Sequence, residues 1–474
     1  MVTVILNPEV EVAGDKKPYT ADGLLTSVGI WHPYPVFIVS SMAFLWVLSA
    51  MATMSPSYLA PATSNSNSSF ITVQKEFEIE RMIIDPGEMT SSVYFIGNLV
   101  FGQVYSTIAD RVGRKPVIVF CLIFAGISGS LASVAPTFEL LLLGRFFQGS
   151  FFTPLTMTNW VLCCESVAFA GHGYASVLFG VAWVLGYCII TPFAIFFPSW
   201  RYLQLATSLP TFIFGIVMFF TLPESISLLI QKKKSSEVLS WVHTASRLGK
   251  EKVEFDISRM LDDVQNEDEG KTLLETLRHV FATPPLVLYT TIETIFWIID
   301  FMIYNGLSLS ATGVSGSNAH LSYLFSGLVE LPSYFLLPAA LDWIGRKPTV
   351  LLSHVICAIA LIAMFLFDRE TDPQLFLIVW LTAKFAMACA FMCCFVYGAE
   401  LFPTNCRNIC LGVCATISNL GAMVSPHVPA LDQIVYSGAS FLFYAGCCVI
   451  CSVLIFFLPE TKDHGVEKPQ QTKL

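Results

Sequence analysis

Two carboxylates and two aromatic rings recur at helical spacing in one apolar stretch. Glu293, Trp297, Asp300 and Tyr304 stand at i, i+4, i+7 and i+11, which places them on one face of a helix. Carboxylates give counter-charge and the electron-rich faces of aromatic rings attract cations, so this face suits an organic cation, with Asp300 as the main counter-charge. The competing reading is a structural network, for instance Asp300 paired with Lys384. Glu330, Lys384 and Arg145 are further charges inside apolar stretches. A charge at the centre of a bilayer costs at least about 2.5–3.5 kcal/mol, so such residues need a partner or a wet cavity and are candidates for function. Trp183 and Tyr187, four residues apart, can add aromatic walls to the same cavity, although packing or lipid contact is the commoner fate of such rings.

The elements that could hold these residues follow from composition. The chain has 474 residues, 54% of them apolar and only 13% charged. A water-facing surface needs roughly a quarter of its residues charged, so this composition suits lipid. A net charge of -9 argues against a nucleic-acid binder, which needs basic stripes. No nucleotide-binding loop of the G-x-x-x-x-G-K-[ST] type is present. Crossing a bilayer takes about 20 apolar residues. That rule predicts spans at 34–56, 89–109, 116–135, 138–162, 173–197, 202–222, 286–307, 320–341, 348–367, 374–397, 409–430 and 436–458. The expected fold class is an all-α membrane protein with twelve transmembrane helices in two six-helix repeats. Lys75, Arg81, Arg201 and Arg369 are the only basic residues in the loops of one side; apart from Arg145 and Lys384, within spans, the rest of the 26 lie on the other side. That asymmetry puts both termini in the cytosol.

The expected organisation is a cytosolic tail at 1–33, a six-helix half at 34–222, a cytosolic linker at 223–285, a second six-helix half at 286–458 and a tail at 459–474. No cleavable signal peptide is read in the polar first residues, so the first span is expected to be its own insertion signal. The outside loop 57–88 carries the sequon Asn67-Ser68-Ser69, the expected glycosylation site. The linker holds an acidic run near Glu267-Asp268-Glu269 and a stretch in which Val238, Leu239, Trp241, Val242, Ala245 and Leu248 share a helical face. Packing under the bundle is favoured over a membrane-surface role for that helix. The 14 cysteines fall in apolar segments or at their ends, and pairs such as Cys163–Cys164 lack the spacing of a zinc site. They read as small buried fillers, with no metal and no cofactor expected.

The chain also repeats itself. DRVGRKP at 110–116 recurs as DWIGRKP at 342–348, LPES at 222–225 recurs as LPET at 458–461, and Glu165 after the fourth span has a counterpart in Glu400 after the tenth. The three separations agree to within about one helical turn. Parallel repeats of this kind place a substrate site between them near the midplane. The loop motif has a mechanical reading. Asp110 can accept hydrogen bonds from the free N–H groups at a helix start. Arg114 can pair with Glu165 or Glu400 and so hold the cytosolic faces of the two halves together while the outside is open.

The repeated D-R-x-G-R-K segment resembles the signature of the major facilitator superfamily, with Ser106 where that pattern has a glycine, and Arg145-Phe146-Phe147-Gln148-Gly149 resembles a second motif of the superfamily. PSWRYLQL at 198–205, IYNGLSL at 303–309, GLVELPSY at 327–334 and YGAELFPTNCRN at 397–408 resemble, in that order, segments of the organic cation and anion transporter family. Glu400, Pro403, Thr404 and Arg407 stand at matching places in the last. The resemblance implies gating roles for Asp110, Arg111, Gly113, Arg114, Lys115, Arg145 and Glu165, and for Asp342, Gly345, Arg346, Lys347, Glu400 and Arg407. It also implies substrate contact by Glu330 and by Asn419, at a position that is acidic in several cation carriers and basic in several anion carriers. The amide at Asn419 favours neither sign.

The expected function is a secondary transporter of small organic ions, cations or zwitterions, working by alternating access without covalent chemistry. It is not expected to be an enzyme. The expected partners are the organic ion, membrane lipid and, if transport is coupled, a coupling ion; nucleic acid is not among them. Two alternatives stay open: a sugar or other neutral-solute carrier of the same superfamily, and a non-transporting sensor or vesicle protein with this fold.

Overall fold

The computed structural model describes residues 21–60, 70–79, 86–197, 199–249, 278, 280, 282–314, 318–367, 371–403 and 406–462. Asn67, Thr404 and the acidic run at 267–269 lie outside them. Among the described residues the chain is all-helical, with one isolated bridge between Ile71 and Ser199. The main helices are α1 (Pro33–Met54), α2 (89–112), α3 (Arg114–Ser133), α4 (138–164), α5 (His172–Phe196) and α6 (Trp200–Thr221). Then come α7 (Pro284–Leu309), α8 (Ala319–Trp343), α9 (Arg346–Leu366), α10 (Pro373–Leu401), α11 (Ile409–Ile434) and α12 (Ala439–Phe457).

Local sequence sets many of the ends. Proline opens α1, α7 and α10, where its missing N–H costs nothing. Thr137, Ser199 and Asn318 cap α4, α6 and α8 by accepting from backbone N–H groups. Ten helices among the described residues are long and apolar enough to cross a membrane. The remaining two segments, α2 and α4, are each interrupted by a π turn, at Asn98–Gly102 and Pro154–Thr158. Pro154 cannot donate to the carbonyl one turn back, which loosens the helix there. Large apolar side chains such as Phe196, Phe220 and Leu366 point out of the bundle, as lipid-facing positions should.

In the first group α1 packs on α5, α2 on α4 and α3 on α6; in the second α9 packs on α10 and α12, and α7 on α10 and α11. The two groups meet along two seams, α2 against α11 and α5 against α8. The helix Ser235–Gly249 buries Val238, Trp241 and Ala245, and Trp241 meets Tyr34 of α1 with ring centroids 5.0 Å apart. Leu239 and Leu248 of the expected apolar face stay exposed.

Candidate substrate site between the helix groups

The α5–α8 seam is tight because Gly327 of α8 lies against Tyr187 of α5: a Cβ at Gly327 would come within 2.4 Å of the ring. That approach brings aromatic groups of the first helix group onto charged groups of the second. Trp183 Nε1 donates to Tyr304 Oη at 2.7 Å, and Tyr304 Oη donates to Glu330 Oε2 at 2.9 Å. Lys384 Nζ stands 2.9 Å from Glu330 Oε1 and 3.5 Å from the centroid of the Tyr304 ring. It also donates to Ser308 Oγ. Tyr187 Oη reaches Ser308 O at 3.2 Å and Ser326 Oγ at 3.3 Å. Glu330 and Lys384 are fully buried. In such surroundings an ion pair holds only while both partners are present.

The structure thus brings Trp183, Tyr187, Tyr304, Glu330 and Lys384 into one network. It sends the other candidates elsewhere. Asp300 does not pair with Lys384: its Oδ1 lies 2.9 Å from His354 Nε2 of α9, and its Oδ2 accepts from Cys394 Sγ of α10 at 3.1 Å. Asp300 therefore pairs inside the second group, and it is Glu330 that stands beside Lys384. The four residues of α7 do share a face. They sit on successive turns about 5.4 Å apart, however, and each height along α7 meets a different neighbour. Glu293 accepts from Trp297 Nε1 at 3.1 Å, and its Oε2 has no hydrogen-bond partner among the described residues. Trp297 packs against Phe395, with centroids 4.3 Å apart. Asn419 lies on the other seam, where its Oδ1 accepts from Asn98 Nδ2 at 2.7 Å.

Arg145 is fully buried. It donates to Thr90 O at 3.3 Å, Ala52 O at 3.1 Å and Gln148 Oε1 at 2.9 Å, with its Cζ 4.8 Å from the centroid of Tyr94.

The two repeated corners have the same plan. Gly113 and Gly345 take φ of +139° and +103°, a turn that side chains resist. Each is followed by a helix start whose free N–H groups point at a glutamate. Glu224 accepts from the backbone of Arg114 and Lys115 at 2.9 and 3.2 Å. Glu460 accepts from Arg346 and Lys347 at 3.0 Å each. The anion expected at the helix start is thus supplied by the LPES and LPET segments and not by Asp110, which instead lies 3.1 Å from Arg114 Nη2. Arg114 reaches Glu165 at 3.2 Å. Arg346 takes Glu400 with two contacts of 2.9 and 2.8 Å. Arg407 donates to Phe402 O, and Lys347 Nζ to Phe456 O and Leu458 O.

Every one of these corner ion pairs closes within its own group, so among the described residues no ion pair forms the expected latch between the two halves. The groups are joined at the opposite end instead. There Thr312 Oγ1 donates to Ser57 O at 3.2 Å, Tyr323 Oη to Met54 O at 3.2 Å and Ser92 Oγ to Met423 O at 2.7 Å.

Residues 36–426 match the family model described as Major Facilitator Superfamily, and the chain belongs to that superfamily. It is a multi-pass membrane transporter, not an enzyme. A transporter candidate of Caenorhabditis elegans is 29% identical over 93% of this chain and 89% of its own length. Solute carrier family 22 member 1 of Bos taurus is 29% identical over 80% of this chain. Organic cation transporter 1 of Caenorhabditis elegans is 29% identical over 78% of this chain. The matched region spans 65% and 63% of those two proteins' lengths. These relatives support the narrower resemblance to the organic cation and anion transporters. A partially occluded inward open structure of the xylose transporter XylE from E. coli superposes with a TM-score of 0.67 at 17% identity, covering 91% of this chain and 99% of that one. This likeness concerns the fold.

Serine, histidine and glutamate partners that sequence reasoning passed over complete the picture. Ser308 gives no signal beyond a polar residue in an apolar span. His354 gives a clearer one, as an ionisable residue inside a span. Glu224 and Glu460 stood in the repeated segments from the start.

Proposed function

We propose that this chain is a plasma-membrane secondary transporter of small organic ions, cations or zwitterions, with twelve spans, cytosolic termini and alternating access between two six-helix halves. The observation that carries the reading is the buried Glu330–Lys384 pair, bonded through Tyr304 to Trp183 across the α5–α8 seam. A cation entering there takes Glu330 from Lys384, with Trp183, Tyr187 and Tyr304 as aromatic walls. A zwitterion satisfies both charges at once. Breaking and remaking contacts across the seam ties occupancy to the relative position of the two halves.

The test is uptake of labelled cations, zwitterions, anions and sugars into cells expressing the chain, with wild type and Glu330→Gln. Saturable uptake of cations or zwitterions that Glu330→Gln removes is the expected result. Uptake of neutral sugars that survives Glu330→Gln would replace this reading with a neutral-solute carrier. Ligand binding without flux would leave a sensor.

A further inference from the structure

The second helix group contains a cluster that the transport reading does not use. Asp300 on α7, His354 on α9 and Cys451 on α12 are each fully buried, and one ligand atom from each lies within 4.8 Å of the others. The local sequences are H-x-x-C at His354–Cys357 and C-x-x-C at Cys448–Cys451. This i, i+3 spacing brings both residues of each pair to one helical face. The two helices pack against each other, and Cys451 Sγ lies within 4.8 Å of a ring nitrogen of His354.

We propose that Asp300, His354 and Cys451 form a zinc site inside the second helix group. Three observations carry this. The first is orientation. His354 Nδ1 lies 2.8 Å from Val350 O. A carbonyl only accepts, so Nδ1 carries the hydrogen and Nε2 is the atom turned toward Asp300. A metal-binding histidine is held in this way, its second nitrogen donating to a backbone carbonyl. The second is support for the carboxylate. Cys394 Sγ donates to Asp300 Oδ2 at 3.1 Å, leaving Oδ1 for the metal, as outer partners of ligating carboxylates do. The third is charge. One N, one O and one S donor suit zinc among the common divalent ions. A dication also balances one carboxylate and one thiolate, so the loaded site is neutral where a net charge would be costly.

In loading, the proton shared by Asp300 and His354 and the thiol proton of Cys451 both leave, so two protons are released for each ion bound. The three side chains take three corners of a zinc tetrahedron, with a water at the fourth, and need ligand atoms about 3.3–3.8 Å apart, from Zn–N of about 2.0 Å and Zn–S of about 2.3 Å. The cluster therefore closes by about 1 Å at its widest edge on binding. The site joins α7, α9 and α12 of one group. The inference stands whether or not the chain carries organic ions.

The test is metal content of the full chain, expressed in zinc-supplemented medium, purified in detergent and freed of any histidine tag. About one zinc per chain is expected in the wild type and in Cys389→Ser, whose thiol lies outside the cluster, with loss of at least about five-fold in His354→Gln and Cys451→Ser. Cobalt loading of the wild type should give a thiolate-to-cobalt absorption band in the near ultraviolet, a readout that needs no variant to fold. Zinc in the wild type no higher than in folded His354→Gln, or cobalt loading without a thiolate band, overturns the proposal and leaves a proton-sharing Asp–His pair.

Discussion

Arg145 in α4 and Lys384 in α10 are both fully buried cations, and the two helix groups satisfy them in different ways. Arg145 meets neutral groups: two backbone carbonyls, the amide of Gln148 and the face of Tyr94. Its partners come from α1, α2 and α4, and Gln148 passes the chain on to Ser208 and Gln204 of α6. Lys384 meets a carboxylate, a hydroxyl and the face of Tyr304, beside the seam between the groups. A guanidinium stays charged and presents fixed donors, so it suits a permanent hub. An ammonium is a compact point charge on a flexible stem and can give up one carboxylate for another anion. The first group's cation ties helices together through neutral groups; the second group's cation is the one that the proposed transport cycle has exchanging partners.

The largest effect should therefore come from breaking the exchangeable pair. Glu330→Gln leaves Lys384 buried without a counter-charge, a loss of about 3–5 kcal/mol. Uptake of organic cations should fall about 100-fold or more at matched surface expression, since each 1.4 kcal/mol is about ten-fold. Glu330→Gln combined with Lys384→Gln should recover the folded amount, measured by size-exclusion fluorescence, but not the uptake. Recovery of both would make the pair structural, like Arg145, and erase the contrast.

Arg145→Lys attacks the other side. A lysine keeps the charge but cannot reach Thr90, Ala52 and Gln148 together. Loss of hydrogen bonds to a charged group, about 1.5–3 kcal/mol, should lower the melting temperature in a thermal-shift assay. Uptake per folded molecule should stay within about three-fold. A large loss of uptake with unchanged melting would give Arg145 the gating role that the sequence resemblance implies.

These two residues also mark where sequence reasoning stops. The ten helices long and apolar enough to cross a membrane were legible because the length of an apolar run is a local property, and lipid demands it of each span separately. The repeated corners were legible because the same short segments recur. Which acid faces which helix start was not: Asp110, Glu224 and Glu165 all lie near α3, and only the packing of α6 decides that Glu224 takes the backbone of Arg114. Similarly, the face shared by Glu293, Trp297, Asp300 and Tyr304 was readable from spacing. The neighbours at each height were not, so Tyr304 reached the seam and Asp300 went to His354.

The corners extend the comparison to a smaller scale. Arg346 holds Glu400 with two parallel contacts, whereas Arg114 holds Glu165 with one. A lysine cannot reproduce a two-pronged contact. Arg346→Lys should then cost more than Arg114→Lys, by about 1 kcal/mol in thermal stability. Equal costs would mean that the second contact to Glu400 adds nothing.

The smallest effect is expected at Asp110. Its side chain is 71% exposed and lies 3.1 Å from Arg114 Nη2, while Glu224 already occupies the helix start. An exposed ion pair contributes about 0–1 kcal/mol and is weakened by salt. Asp110→Asn should therefore lower the uptake rate by no more than about three-fold and leave substrate affinity unchanged, because the residue lies at the corner and not at the α5–α8 seam. Raising the ionic strength should reduce the difference from wild type. Asp342→Asn should do less still, since Asp342 makes no ion pair with Arg346 among the described contacts. The informative departure is abolished uptake in Asp110→Asn at normal surface level. Among the described residues the corner pairs close within their own groups, and hydrogen bonds join the groups at the opposite end. Such a loss would mean that Asp110 makes its decisive contact in the other conformer, when the corner end closes. The two corners, alike in this structure, would then differ in function.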